Sequence, residues 1–185
     1  MLIPISNHAI SSDNADVLPV YEPLSVVLRS VIQKIVFLAP NCIFTGRVSL
    51  EAFNVIALSI QPPHDVDVMY ESVTQLRCLP NLVEHSVCPS TGKWADKPST
   101  IIEDITVDFF QTNYNDYCSG DVVKFNMFGT VISILHPKYA VQAKVGYIKD
   151  ICDAICKNSD NVSAEQLASF RKHASDIFNF SLTFF

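Results

Sequence analysis

Basic residues are scarce in this chain: lysine and arginine number 13 against 19 aspartates and glutamates, for a formal net charge of −6 at pH 7. That balance argues against a broad basic surface for duplex DNA. It favours a cationic acceptor, or an anionic substrate bridged by divalent metal. Long apolar runs are missing too. The segment VIQKIVFLAP is short and interrupted by Lys34, so no membrane span is expected. The opening residues MLIPISNHAISSDNADVLP have no basic stretch ahead of an apolar core and no cleavage pattern, so they do not read as a secretory leader. The six cysteines are accordingly expected as reduced thiols in a cytoplasmic protein. Charged residues reach only 17% while hydrophobic ones make up 49%, which excludes a disordered chain and predicts one packed domain with at most a small appendage.

Several familiar motifs are present only in part. CPSTGK, residues 88–93, ends like a phosphate-binding P-loop but lacks the first glycine and a preceding strand. Cys78, His85 and Cys88 are spaced loosely, without paired ligands or a fourth member, so a zinc site is not expected. No Ser-His-Asp or Cys-His arrangement stands out, which disfavours nucleophilic hydrolysis. Internal repeats and low-complexity segments are also missing.

What is there is an alternation of helical and strand patterns. Residues 1–22 read as a loosely structured arm, residues 23–136 as the core and residues 137–185 as a C-terminal helical segment. PLSVVLRSVIQKIVFL repeats apolar residues at helical spacing, with Pro23 suited to the first turn and Pro40 to the stop. CIFTG reads as a buried strand ending at Gly46, followed by a helix that Ser49 can cap. VDVMY and TIIEDITVDFF each read as a strand, and DVVKFNMFGTVISIL as two strands turning near Met127 to Gly129. Pro137 opens a helix with Ile148, Ile151, Cys152 and Ile155 on one face. Ser163 and Gln166 have capping-box spacing at the start of another, which is expected to bury Leu167, Phe170, Ala174 and Ile177. The fold class expected is α+β: a mixed, twisted sheet with flanking helices and an antiparallel C-terminal helical pair.

The chemistry-bearing pattern is PPHDVDVMY. Residues two apart on a strand share a face, so Asp65 and Asp67 project together and repel. Either the strand shows a polar face to water, or something positive belongs between them. Further along, ITVDFF places Asp108 between Val107 and Phe109, where an unpartnered carboxylate is costly. Lys124 is one possible partner, and Asp104 is a rival third acid, read as lying on the same strand face. Three acids on adjacent strands beside a glycine turn suit two-metal phosphoryl chemistry, in which Mg²⁺ or Mn²⁺ ions about 3.5–4 Å apart share carboxylates. His64 and His136 read as loop residues. Lys172 and His173 read as structural, with Asp176 pairing locally on its own helix.

The order strand, glycine turn, helix, then DVDV, then VDF resembles the polymerase-beta-type nucleotidyltransferase superfamily, most of all its small bacterial toxin-type and minimal members. PKYAVQAKVGYIKD and RKHASDIFNF are similar to the C-terminal helices of those proteins, and the likeness covers roughly residues 40 to 180. It implies the nucleotidyltransferase fold and transfer of an NMP from an NTP to an acceptor such as tRNA or another RNA, a partner protein or a cationic small molecule. By position, Asp65 and Asp67 would hold both metals, and Asp108 would hold the catalytic metal and act as general base. Gly46 would cradle phosphate and Lys144 would reach it from its helix. The family usually follows its glycine with serine or a second glycine; here Arg47 follows, with Ser49 two positions on. Arginine at that place either pairs with phosphate or obstructs it. Obstruction corresponds to the alternative reading, a binding or regulatory protein of this fold without turnover.

Overall fold

The computed structural model describes residues 17–83, 86–87, 94–95, 97–118, 120–157 and 163–185. In chain order the elements are α1 (Val26–Leu38), β1 (Ile43–Phe44), α2 (Gly46–Ala52), β2 (Asp65–Tyr70), β3 (Ser86–Val87), β4 (Trp94–Ala95), β5 (Ser99–Ile102), β6 (Ile105–Gln111), β7 (Val122–Met127), β8 (Thr130–Leu135), α3 (Pro137–Lys157) and α4 (Ala164–Phe184). Six strands form a mixed sheet in the order β5-β6-β2-β1-β8-β7. The pairs β2/β6 and β1/β8 run parallel and the other neighbours antiparallel. β3 and β4 pair with each other outside this sheet. A mixed sheet with flanking helices and a C-terminal helical pair is the α+β class expected from the sequence.

Alternation along the central strands divides the sheet into two faces. Val66, Val68 and Tyr70 of β2 are buried, as are Ile105, Val107 and Phe109 of β6. They join Leu28, Val31, Ile32 and Ile35 of α1 in one apolar cluster. Asp65, Asp67 and Asp108 occupy the intervening positions, so the acids lie on the face opposite the one α1 covers. A smaller cluster of Leu50, Val55 and Val141, with Ile177 and Phe180 against it, ties α2 to α3 and α4.

Several local expectations need correction. Pro23 precedes α1 rather than opening it. Ser25 is the N-cap, its Oγ accepting from Leu28 N–H at 3.2 Å. Ser49 does not cap α2 but lies inside it, because Thr45 in extended conformation is where that helix begins. TIIEDITVDFF is a hairpin rather than one strand: Glu103 and Asp104 both take positive φ, 52° and 63°, and reverse the chain between β5 and β6. Asp104 is therefore a turn residue and leaves the strand face on which it was a rival third acid. Glu103 instead anchors the turn to α1, accepting from Ser30 at 2.6 Å and from Lys34.

At the C-terminal end, α3 starts at Pro137 as expected, and Ser163 with Gln166 forms a complete capping box on α4. Leu167, expected to be buried, is 42% exposed, and Cys152 on α3 is exposed. Phe170, Ala174 and Ile177 are partly buried. Among the described residues no helix is long and apolar enough to cross a membrane.

Of the expected N-terminal arm, residues 1–16 lie outside the described residues. Those that follow are tied down. Asn126 N–H donates to Pro19 O at 2.8 Å, and Tyr21 N–H donates to Asn126 O at 3.1 Å. His85, Cys88 and the CPSTGK stretch also lie outside the described residues.

Candidate metal centre

Parallel pairing of β2 with β6 sets Asp67 directly across from Asp108, in the register Asp65↔Thr106, Asp67↔Asp108. Two acids from β2 and one from β6 thereby meet, and one carboxylate oxygen from each of Asp65, Asp67 and Asp108 lies within 4.8 Å of the others. The three acids expected to converge do so. They grade from exposed Asp65 through partly buried Asp67 to buried Asp108.

Asp67 bears the strain of this grouping. Burial raises its carboxyl, Asp65 and Asp108 raise it further, and Lys97 and Lys144 pull the other way; the result is a pKa pushed up to about 6. A carboxyl held that high reflects burial first, and then negative charge that Lys97 and Lys144 offset only partly. All three groups offer hard oxygen donors, close enough to share one small cation. The donor set therefore fits a divalent cation.

Gly46 belongs to this centre for a steric reason. It sits at φ +59°, and a Cβ built there would lie 2.0 Å from Asp67 Oδ2. Only glycine allows the start of α2 to approach the carboxylate this closely. Thr45 N–H donates to Asp67 O at 3.0 Å, which holds the end of β1 to the same residue.

The remaining candidates divide between the centre and the scaffold. Lys144 of α3 acts on the Asp67 carboxyl electrostatically, and its Nζ pairs with Asp176 Oδ2 of α4 at 2.9 Å. Asp176 thus bridges the two helices instead of pairing with Lys172 or His173 on its own. Arg47 is engaged by the scaffold: Nε donates to Glu51 Oε1 at 2.7 Å and Nη2 to Gln61 O at 3.4 Å. Glu51, buried at 1% exposure, also accepts from Tyr21 OH at 3.0 Å. Ser49 is fully buried, and its Oγ donates to Leu135 O at 2.5 Å, joining α2 to β8. His136 packs among Phe53, Phe180 and Phe184, and burial lowers its pKa.

One residue at the centre escaped the sequence reading. Asp108 is partnered not by Lys124 but by Lys97, whose Nζ lies 2.5 Å from Asp108 Oδ2. Lys97 stands just ahead of β5 in a turn-rich stretch, where a lysine reads as solvated. The available signal was Pro98, which ends that stretch, together with the hairpin that lays β5 along β6.

No protein-family model matches the chain, and no curated protein matches it. Among solved structures it is similar to the crystal structure of a candidate nucleotidyltransferase from Thermotoga maritima, with 21% identity and a TM-score of 0.48 over 69% of this chain and 89% of that one. A likeness this remote assigns no activity.

Proposed function

We propose that this chain is a divalent-metal-dependent nucleotidyltransferase that moves an NMP from an NTP to an acceptor hydroxyl or phosphate. The observation that carries the reading is the convergence of Asp65, Asp67 and Asp108 within 4.8 Å beside a glycine whose Cβ position would meet Asp67 Oδ2 at 2.0 Å. The order of parts along the chain supports it: glycine turn, paired acids, then a third acid on the neighbouring parallel strand.

Asp65, Asp67 and Asp108 would hold the metal, and a bound Mg²⁺ or Mn²⁺ would supply charge neutralisation for the triphosphate and the departing pyrophosphate. Asp108 would take a proton from an acceptor hydroxyl at a carboxylate oxygen. Gly46 keeps the approach to Asp67 open, and Lys144 adds positive charge from α3. The hydrogen bonds of Arg47 to Glu51 and Gln61 support a scaffold role for it, which weakens the motive for a reading without turnover. The net charge of −6 favours an acceptor other than long duplex: an RNA of tRNA size, a protein side chain or a cationic small molecule.

Two measurements test this. Melting in Mg²⁺ with each NTP in turn should rise by several degrees for at least one nucleotide, and that rise should vanish in Asp65→Asn. NTPs labelled at the α-phosphate, offered RNA, protein and small-metabolite fractions, should label one class, and Asp67→Asn and Asp108→Asn should each abolish labelling. Undiminished transfer by the double variant would remove Asp67 and Asp108 from the chemistry.

A further inference from the structure

Lys97 reaches the acid cluster by way of the β5/β6 hairpin. Ser99 lies opposite Asp108, and the ladder continues beyond β5, with Phe109 N–H donating to Pro98 O at 2.9 Å. Carrying the register back one more step sets Lys97 opposite Phe110, on the same face as Asp108. There its ammonium sits 2.5 Å from Asp108 Oδ2 and 5.2 Å from the centre of the Phe110 ring. The side chain is only 21% exposed, so its position is defined by its neighbours. Backbone register, carboxylate and aromatic face all hold the ammonium at the edge of the three acids.

We propose that Lys97 is an internal counter-ion of the cluster, standing on Asp108 where a cation would otherwise be held and leaving that carboxylate when all three acids take up a divalent ion. The inference rests on the metal-binding reading of Asp65, Asp67 and Asp108. It follows from competition for one group: an ammonium donating to Asp108 Oδ2 and a cation sharing Asp108 with Asp67 draw on the same negative charge, and each weakens the other's hold. Asp65 and Asp67 lack a direct ion pair among the described contacts, so a first ion goes to them before Asp108 is released. A lysine serving only to brace the hairpin would have no such effect on ion uptake.

The test is calorimetric titration of the full chain with MnCl₂ alone, without nucleotide. Lys97→Met, which keeps the apolar stem and removes the charge, should bind Mn²⁺ about tenfold more tightly than the unaltered protein. In EDTA the same variant should melt at lower temperature at pH 7.5, because the acids lose an internal cation. Lys97→Arg, which restores the charge, should return the affinity close to the original. Lys97→Gln provides a second neutral variant should Lys97→Met fold poorly, and it should tighten Mn²⁺ binding in the same way. If the unaltered protein binds Mn²⁺ and the neutral variants bind it equally or less well, Lys97 is a hairpin brace and the counter-ion role is wrong, while the metal-binding reading survives. If neither the unaltered protein nor any variant takes up Mn²⁺, both fall together.

Discussion

The Asp67 carboxyl is raised from 3.8 to about 6 by burial and by Asp65 and Asp108. A carboxyl raised on folding favours the native state while protonated. Its contribution is therefore complete below about pH 4 and is lost as pH rises through about 6. Asp67→Asn mimics the protonated form at every pH. In EDTA at pH 7.5 it should stabilise the fold by about 1–3 kcal/mol, with the gain fading below pH 4. Urea unfolding at pH 3.5 and 7.5 checks this; no difference between the two pH values would show that the repulsion is relieved in some other way. At this scale the sequence was informative where chemistry follows from spacing. Asp65 and Asp67 share a face because strands alternate, and Asp108 stood out because Val107 and Phe109 flank it. Lys97 does not follow from spacing alone, since its partner lies across a hairpin whose sequence reads as one strand.

Among the elements, the C-terminal helices depend on a polar pair as well as on apolar packing. Lys144 Nζ and Asp176 Oδ2 lie 2.9 Å apart, and both side chains are 13% exposed. Removing one member leaves the other charge in a poorly hydrated place. Lys144→Met should therefore destabilise the chain by about 2–4 kcal/mol, and Lys144→Met with Asp176→Leu should recover a good part of that loss. Equilibrium unfolding of the single and double variants measures the coupling; strictly additive effects would mean that the two residues act independently. The helices themselves were readable, because the Ser163 and Gln166 capping box and Pro137 are explicit boundary signals. Partnership between the helices was not, because helical periodicity predicts pairs along one helix and says little of pairs across two. The β5/β6 turn was missed for a related reason. Glu103 and Asp104 adopt left-handed backbone without glycine or asparagine, and the β-branched residues around them mask the reversal.

For the molecule as a whole, the second apolar cluster decides whether sheet and C-terminal helices behave as one unit. Leu50 is fully buried and packs with Val55 and Val141, with Ile177 and Phe180 closing over them. Leu50→Ala should cost about 2–5 kcal/mol. If α3 and α4 melt with the sheet, the loss appears as a shift of one transition whose calorimetric and van't Hoff enthalpies agree. Two separate transitions would show that the C-terminal pair unfolds on its own.

Hydrogen bonding between β2 and β6 spaces the acid-bearing backbones independently of anything bound between them. An arriving ion therefore meets acid-bearing strands whose register is already set. Its uptake should register as release of hydration water and protons, with little change in heat capacity.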